Sequence, residues 1–113
     1  MNDITIRKAE GTWTVRAGGA VLGESRDALE LSETGYPAII YFPRGDIAMA
    51  FLDRTDHTTH CPKKGDANYF SIVTKSTTLE NAAWSYEQPK ESVARIKDHL
   101  AFYATDFVTV ERV

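Results

Sequence analysis

The sequence predicts a mainly β, compact, single-domain antiparallel fold over residues 1–113, with one short helix near the C-terminus. Three observations predict it. Apolar and polar residues alternate with the period of a strand in successive short runs. Glycine and proline pairs punctuate those runs at hairpin distances. Only the segment after Pro89 carries helical spacing.

The stretch "ITIRKAEGTWTVRAGGAVLGES" alternates in two runs, with Ile4 and Ile6 on one face of the first and Trp13 and Val15 on one face of the second. Gly18–Gly19 supplies residues free to adopt the positive φ of a tight hairpin turn. "ALELSE" continues with Leu29 and Leu31. Ala38 to Phe42 is an unbroken apolar run between Pro37 and Pro43, which suits a strand covered on both sides. Pro43-Arg44-Gly45-Asp46 reads as a turn and Ile47 to Leu52 as the returning strand. Residues 53 to 67 form the longest polar stretch and read as a loop, of a length that is often functional. "NYFSIVTK" and "LENAAWSYE" read as strands, the second with Ala82, Trp84 and Tyr86 on one side and Ala83 and Ser85 on the other. Pro89 starts the short helix, with Val93 and Ile96 on its inner face, and "LAFYATDFVTVERV" returns to strand. No repeat or linker divides the chain.

Composition narrows the function. A net charge of −3 concentrates no basic field on a polyanion, so nucleic acid is not expected as a partner. With one cysteine, neither an intrachain disulfide nor a paired-cysteine zinc knuckle can form. The N-terminal residues lack the apolar run of a signal peptide, and no apolar stretch is long enough to span a membrane as a helix, so a cytoplasmic protein with no membrane partner is expected.

The polar stretch "THCPKKGDANYF" draws the chemistry. Cys61 sits beside His60, Lys63 and Lys64, cations of the kind that favour a thiolate. Pro62 biases Cys61 to extended backbone, which points His60 and Cys61 to opposite faces, so His60 is not expected to serve Cys61 as a base. The alternative is a small apolar anchor for the loop. Asp53, Asp56, His57 and His60 could be drawn together around a divalent ion, but no second ligand pair matches them, and no metal or cofactor is expected. Lys63, Lys64 and Gly65 could meet an anion if Arg44 converges on them. Tyr41, Tyr69, Trp84 and Tyr86 pair apolar bodies with polar tips, the material of a small-molecule pocket or simply of a core.

Taken together, "YFPRGDI", "THCPKKGDANYFSI", "WSYEQP" and "AFYATDFVTV", with the earlier "GGAVLGESRDALELSE", resemble the DUF427 family of small bacterial proteins, a domain of unknown function, over roughly residues 5 to 110. The resemblance implies a fold related to the β-tent architecture shared by methionine sulfoxide reductase B. The zinc of such relatives does not carry over to a chain with one cysteine, nor does a reductase mechanism, since "AFYATDF" holds none. A nucleotidyltransferase label is sometimes attached to the family. It finds little support here, because no Gly-Ser dipeptide precedes paired carboxylates. The family's motif positions fall on Tyr41, Pro43, Arg44, Asp46, Cys61, Lys64, Gly65, Tyr69, Trp84 and Tyr86.

The resulting expectation is a cleft binding a small anionic or aromatic metabolite, built from Tyr41, Arg44, Asp46, Lys64, Tyr69, Trp84 and Tyr86, with an Asp46–Lys64 ion pair at its polar wall. Two alternatives stand beside it: an enzyme using Cys61 as a nucleophilic or redox thiol, and a protein-interaction module whose aromatics are core. The sequence fixes neither catalytic activity nor oligomeric state.

Overall fold

The computed structural model describes residues 3–113. Ten strands form three antiparallel sheets. In chain order they are β1 (Ile4–Lys8), β2 (Trp13–Ala17), β3 (Ala20–Ser25), β4 (Leu29–Glu33), β5 (Ile39–Tyr41), β6 (Leu52–Cys61), β7 (Gly65–Val73), β8 (Thr78–Ser85), β9 (Ala101–Phe102) and β10 (Val108–Arg112). The sheets are ordered β1-β4-β5, β10-β2-β3 and β6-β7-β8-β9. The mainly β antiparallel architecture read from the alternation is the one observed. Among the described residues no helix is long and apolar enough to cross a membrane.

Alternation in β7 divides the interior into two cores. Phe70 and Ile72 enter one, with Val15, Leu22, Phe42, Leu100 and Val108. Ala67 and Tyr69 enter the other, with Leu31, Tyr41, Trp84, Tyr86 and Ile96. The β5 segment joins them, since its successive residues Tyr41 and Phe42 bury on opposite sides. Phe42 also exchanges both backbone hydrogen bonds with Leu100, at 2.8 and 2.9 Å, which ties the end of β5 to the residue that leads into β9.

Several elements differ from the sequence reading. Residues 52–61 are a ten-residue strand, not a loop. As an outer strand of its sheet β6 is exposed at most positions, so its polarity reflects solvent on both faces, while Thr55, Thr58 and Thr59 supply β propensity. The loop shrinks to the turn Pro62–Lys64, closed by the Lys64 N–H donating to the Cys61 carbonyl at 3.2 Å, and Gly65 leaves it at φ +111°. Ile47–Leu52 does not form the returning strand, and only Leu52, which opens β6, lies in one. The segment makes one bridge, Ile47 to Gly23, followed by a 3₁₀ turn at Met49–Phe51. That bridge needs a glycine, because a Cβ at Gly23 would lie 2.6 Å from the Asp46 carbonyl oxygen.

The C-terminal helix is a 3₁₀ segment, Glu91–Ile96, broken at Val93, though Val93 and Ile96 are buried inward as their spacing implied. In β8 the register against β7 shifts between Phe70 and Ile72, with Asn81 at φ +51°. That irregularity moves Ala82 into the first core beside Ala83, away from the face of Trp84 and Tyr86. The final run is two strands rather than one. Thr105 Oγ1 accepts from the Phe107 and Val108 N–H groups, and the chain crosses there from the sheet of β8 to the sheet of β2.

Candidate ligand cavity

The cavity lies where β4 and β5 face the β6-β7-β8-β9 sheet, and its volume is about 380 Å³, within the span usual for small-molecule sites. Its walls carry all five tyrosines of the chain: Tyr36, Tyr41, Tyr69, Tyr86 and Tyr103. Trp84, Cys61 and Lys64 line it too. Strand period explains the grouping. Tyr69 and Trp84 are direct cross-strand partners, and so are Trp84 and Ala101 of β9, which brings Tyr103 alongside. The Trp84 and Tyr103 rings lie 4.5 Å apart, and Tyr41 meets Trp84 edge-on at 6.4 Å. The Trp84 Nε1–H donates to the Tyr41 hydroxyl at 3.3 Å. The Tyr69 hydroxyl lies 3.0 Å from Thr59 Oγ1 and 3.4 Å from the Tyr103 hydroxyl. Burial pushes Tyr41 up to about 12. Burial, with Tyr69 beside it, does the same for Tyr103, to about 12. Both therefore keep their protons, and their ability to donate, at neutral pH.

Cys61 ends β6 with its side chain on the cavity, while His60, on the opposite face, pairs with Asp66 at 2.7 Å in solvent. Burial works against the Cys61 thiolate, but the backbone N–H groups of Lys63 and Lys64 and the Lys64 ammonium outweigh it and hold the thiol below its ordinary value. The tight Pro62–Lys64 turn thus keeps two amides and an ammonium near one sulfur.

Lys64 does not pair with Asp46. Its ammonium lies 3.4 Å from Glu33, which also takes Lys63 at 3.0 Å. The Lys63 hydrogen bond, with the Lys64 charge behind it, keeps the Glu33 carboxyl below its usual range despite burial. Asp46 instead accepts from Ser25 Oγ at 2.6 Å, which fixes the turn after β5 to the end of β3. Arg44 lies away from the cavity as well. Its guanidinium donates to the Asp98 carbonyl at 2.9 Å, Ser85 Oγ at 3.0 Å and Glu87 at 3.2 Å. So of the residues expected at the cleft, Tyr41, Cys61, Lys64, Tyr69, Trp84 and Tyr86 line one cavity, and Arg44 and Asp46 are engaged elsewhere. His57 packs its ring against Tyr69 at 4.5 Å, apart from His60, which is held by Asp66. The sequence reading missed Glu33, Tyr36 and Tyr103. Tyr103 had a signal, since it sits inside "AFYATDF". Glu33 had none, being 30 residues from the lysine it holds.

A second hollow, about 610 Å³, lies among Arg54, His60, Asp66 and Glu87. Although larger, it is walled by charges that already satisfy one another, His60 with Asp66 and Arg54 with Glu87, so the tyrosine cavity is the stronger candidate. Glu87 matters to the fold instead. Arg54 meets it with two hydrogen bonds, at 2.6 and 3.0 Å, and Arg44 adds a third, all beside the Phe70 ring. The Arg54 hydrogen bonds hold the Glu87 carboxyl below its usual range. A carboxyl lowered on folding adds stability that is present above its unfolded value and is lost as pH falls through the folded one. Glu87→Gln is therefore expected to cost about 1–2 kcal/mol at neutral pH, discounted for solvent at the arginines. It should also flatten the loss of stability on acidification. Urea melts of both chains from neutral to acid pH check this, and parallel acid slopes would contradict it.

Comparison with known proteins gives a family and no function. No curated protein matches the chain. The family model described as a domain of unknown function (DUF427) matches residues 5–113, nearly the whole chain, and the chain therefore belongs to the DUF427 family.

Proposed function

We propose that the chain is a small-molecule-binding domain whose ligand is a planar aromatic metabolite carrying an acidic group. The observation that carries this reading is the gathering of all five tyrosines, with Trp84, around one cavity of about 380 Å³. A core has no need to collect every phenol of the chain at one opening. Aromatic walls with hydroxyl tips suit a flat ring with polar substituents. At the rim, Lys63 and Lys64 face the single carboxylate of Glu33, which leaves one positive charge to receive an anionic group.

The test uses Trp84 as its own reporter. In a Trp13→Phe background the remaining indole lies on the cavity. Titration with 4-hydroxybenzoate, indole-3-carboxylate and their neutral amides should give saturable quenching, stronger for the acids. Lys64→Met should erase the preference for the acids. Tyr103→Ala should weaken binding about tenfold by removing one aromatic wall. A panel in which no compound quenches saturably would count against the reading.

A further inference from the structure

We propose that the cavity is a site of thiol addition, in which Cys61 attacks a small α,β-unsaturated carbonyl compound and the Tyr86 hydroxyl receives the charge that develops on the carbonyl oxygen. The inference deepens the small-molecule reading by naming a substrate class for the same cavity. Two independent observations carry it.

The first is the setting of the sulfur. Cys61 is only half-buried and opens on the cavity. The turn that follows it folds back on Cys61, the Lys64 N–H donating to the Cys61 carbonyl at 3.2 Å, and brings Lys64 to the same cavity wall, where the Lys63 and Lys64 amides and the Lys64 charge favour the thiolate. A thiolate so held is accessible to a ligand of the cavity and is the nucleophilic form.

The second is Tyr86. It is 6% exposed, yet its hydroxyl makes no hydrogen bond among the described residues. Among the described residues no side-chain polar atom is sealed in the interior without a partner. The Tyr86 hydroxyl therefore opens on the cavity that its side chain lines. A hydroxyl without a protein partner, on an otherwise buried side chain at a cavity wall, is the expected form of a group whose partner arrives with the ligand. Burial first, and then the neighbouring Tyr41 and Cys61, keep this phenol protonated well above neutral pH, so it remains able to donate there.

The chemistry balances without another reactant than water. The sulfur lone pair forms a C–S bond at the β-carbon. The C=C π bond breaks, and its electrons pass to the carbonyl oxygen as an enolate. The Tyr86 O–H donates a hydrogen bond to that oxygen. A proton from water then adds at the α-carbon, and the thiol has been added across the double bond. Nothing is oxidised and nothing leaves. An aromatic ring conjugated to the carbonyl would rest on the Trp84 and Tyr103 faces.

Two alkylating probes of similar size separate the donor from the thiolate. Acrylamide reacts through an enolate-like oxygen, whereas iodoacetamide reacts by direct displacement of iodide. With one thiol in the chain, intact mass gives each rate, and Cys61→Ser supplies the blank. The wild-type chain should react with both probes with a midpoint below that of free cysteine, ~8.5, and Lys64→Met should move the midpoint upward. Relative to free cysteine, the ratio of acrylamide to iodoacetamide rates should be raised. Tyr86→Phe should lower the acrylamide rate about tenfold or more while leaving iodoacetamide unchanged, as removal of an oxyanion donor does. Since Tyr86→Phe removes a hydroxyl without a protein partner, its melting temperature should stay near wild type, so a folded variant is available. Equal slowing of both probes by Tyr86→Phe, or a rate ratio no higher than that of free cysteine, overturns the proposal. Neither outcome touches the quenching test, so failure of the addition chemistry and failure of the binding reading are told apart.

Discussion

Phe42→Ala is expected to cost about 3–5 kcal/mol of stability, a large share of the roughly 5–15 kcal/mol that holds a domain folded. Phe42 is fully buried in the first core and meets Phe102 edge-on at 5.9 Å. Its backbone makes both hydrogen bonds to Leu100. The truncation removes the ring but leaves those bonds, so the loss is one of packing and cavity formation. In urea the midpoint should fall with an unchanged slope. Phe42→Leu keeps most of the volume and should lose less than half as much. A Phe42→Ala cost below about 1 kcal/mol would mean that the first core does not close around this residue. The effect should reach the cavity, because Phe42 secures the segment that carries Tyr41 on its other side and the β9 strand that leads to Tyr103.

The sequence makes the strands with one buried face legible, since alternation is a direct image of a sheet lying on a core. β1, β2 and β3 are of this kind. Alternation gives no account of a strand wet on both sides. β6 is the clearest case, where Asp53, Arg54, His57 and His60 read as loop because polarity and loop are correlated, while backbone pairing to β7 decides the outcome. The split of the last strand was hidden for a different reason. Its two halves join different sheets, and only Thr105, bonding locally to two amides, marks the crossing.

The candidate site shows the same division. Tyr41, Cys61, Tyr69, Trp84 and Tyr86 sit on strands or at strand ends whose parity can be read, and they line one cavity. Charge partnerships could not be read. Lys64 had Asp46 and Glu33 available to it in sequence, and nothing local favours the second. The decision comes from the sheet in which β4 pairs antiparallel with both β1 and β5, and the end of β4 meets the Pro62–Lys64 turn. Arg44 likewise belongs to Glu87, Ser85 and Asp98, groups 41 to 54 residues away. Long-range ion pairs follow topology, and topology is the part of a β fold least visible in a single sequence.

Trp84→Ala carries the second large effect, and it separates the two roles an aromatic can have at a cavity wall. The indole packs into the second core, donates to the Tyr41 hydroxyl at 3.3 Å and meets the Tyr103 ring at 4.5 Å with a 43° tilt. Its loss should cost about 3–5 kcal/mol of stability, and ligand affinity should fall more than about thirtyfold, since Trp anchors contribute 2 kcal/mol or more where they line a desolvated site. Stability alone decides nothing about the site, so Trp84→Phe is the informative companion. It keeps an aromatic ring in the core and deletes the indole N–H, a long hydrogen bond whose loss should cost about 1 kcal/mol. Calorimetry with the acid that quenches best then gives the answer. If Trp84→Phe weakens binding in proportion to the lost ring face while remaining folded, the wall touches ligand. If Trp84→Phe binds as wild type does, and Trp84→Ala loses stability but not affinity, the indole is core alone. The gathering of tyrosines around it would then be a consequence of packing rather than of ligand recognition.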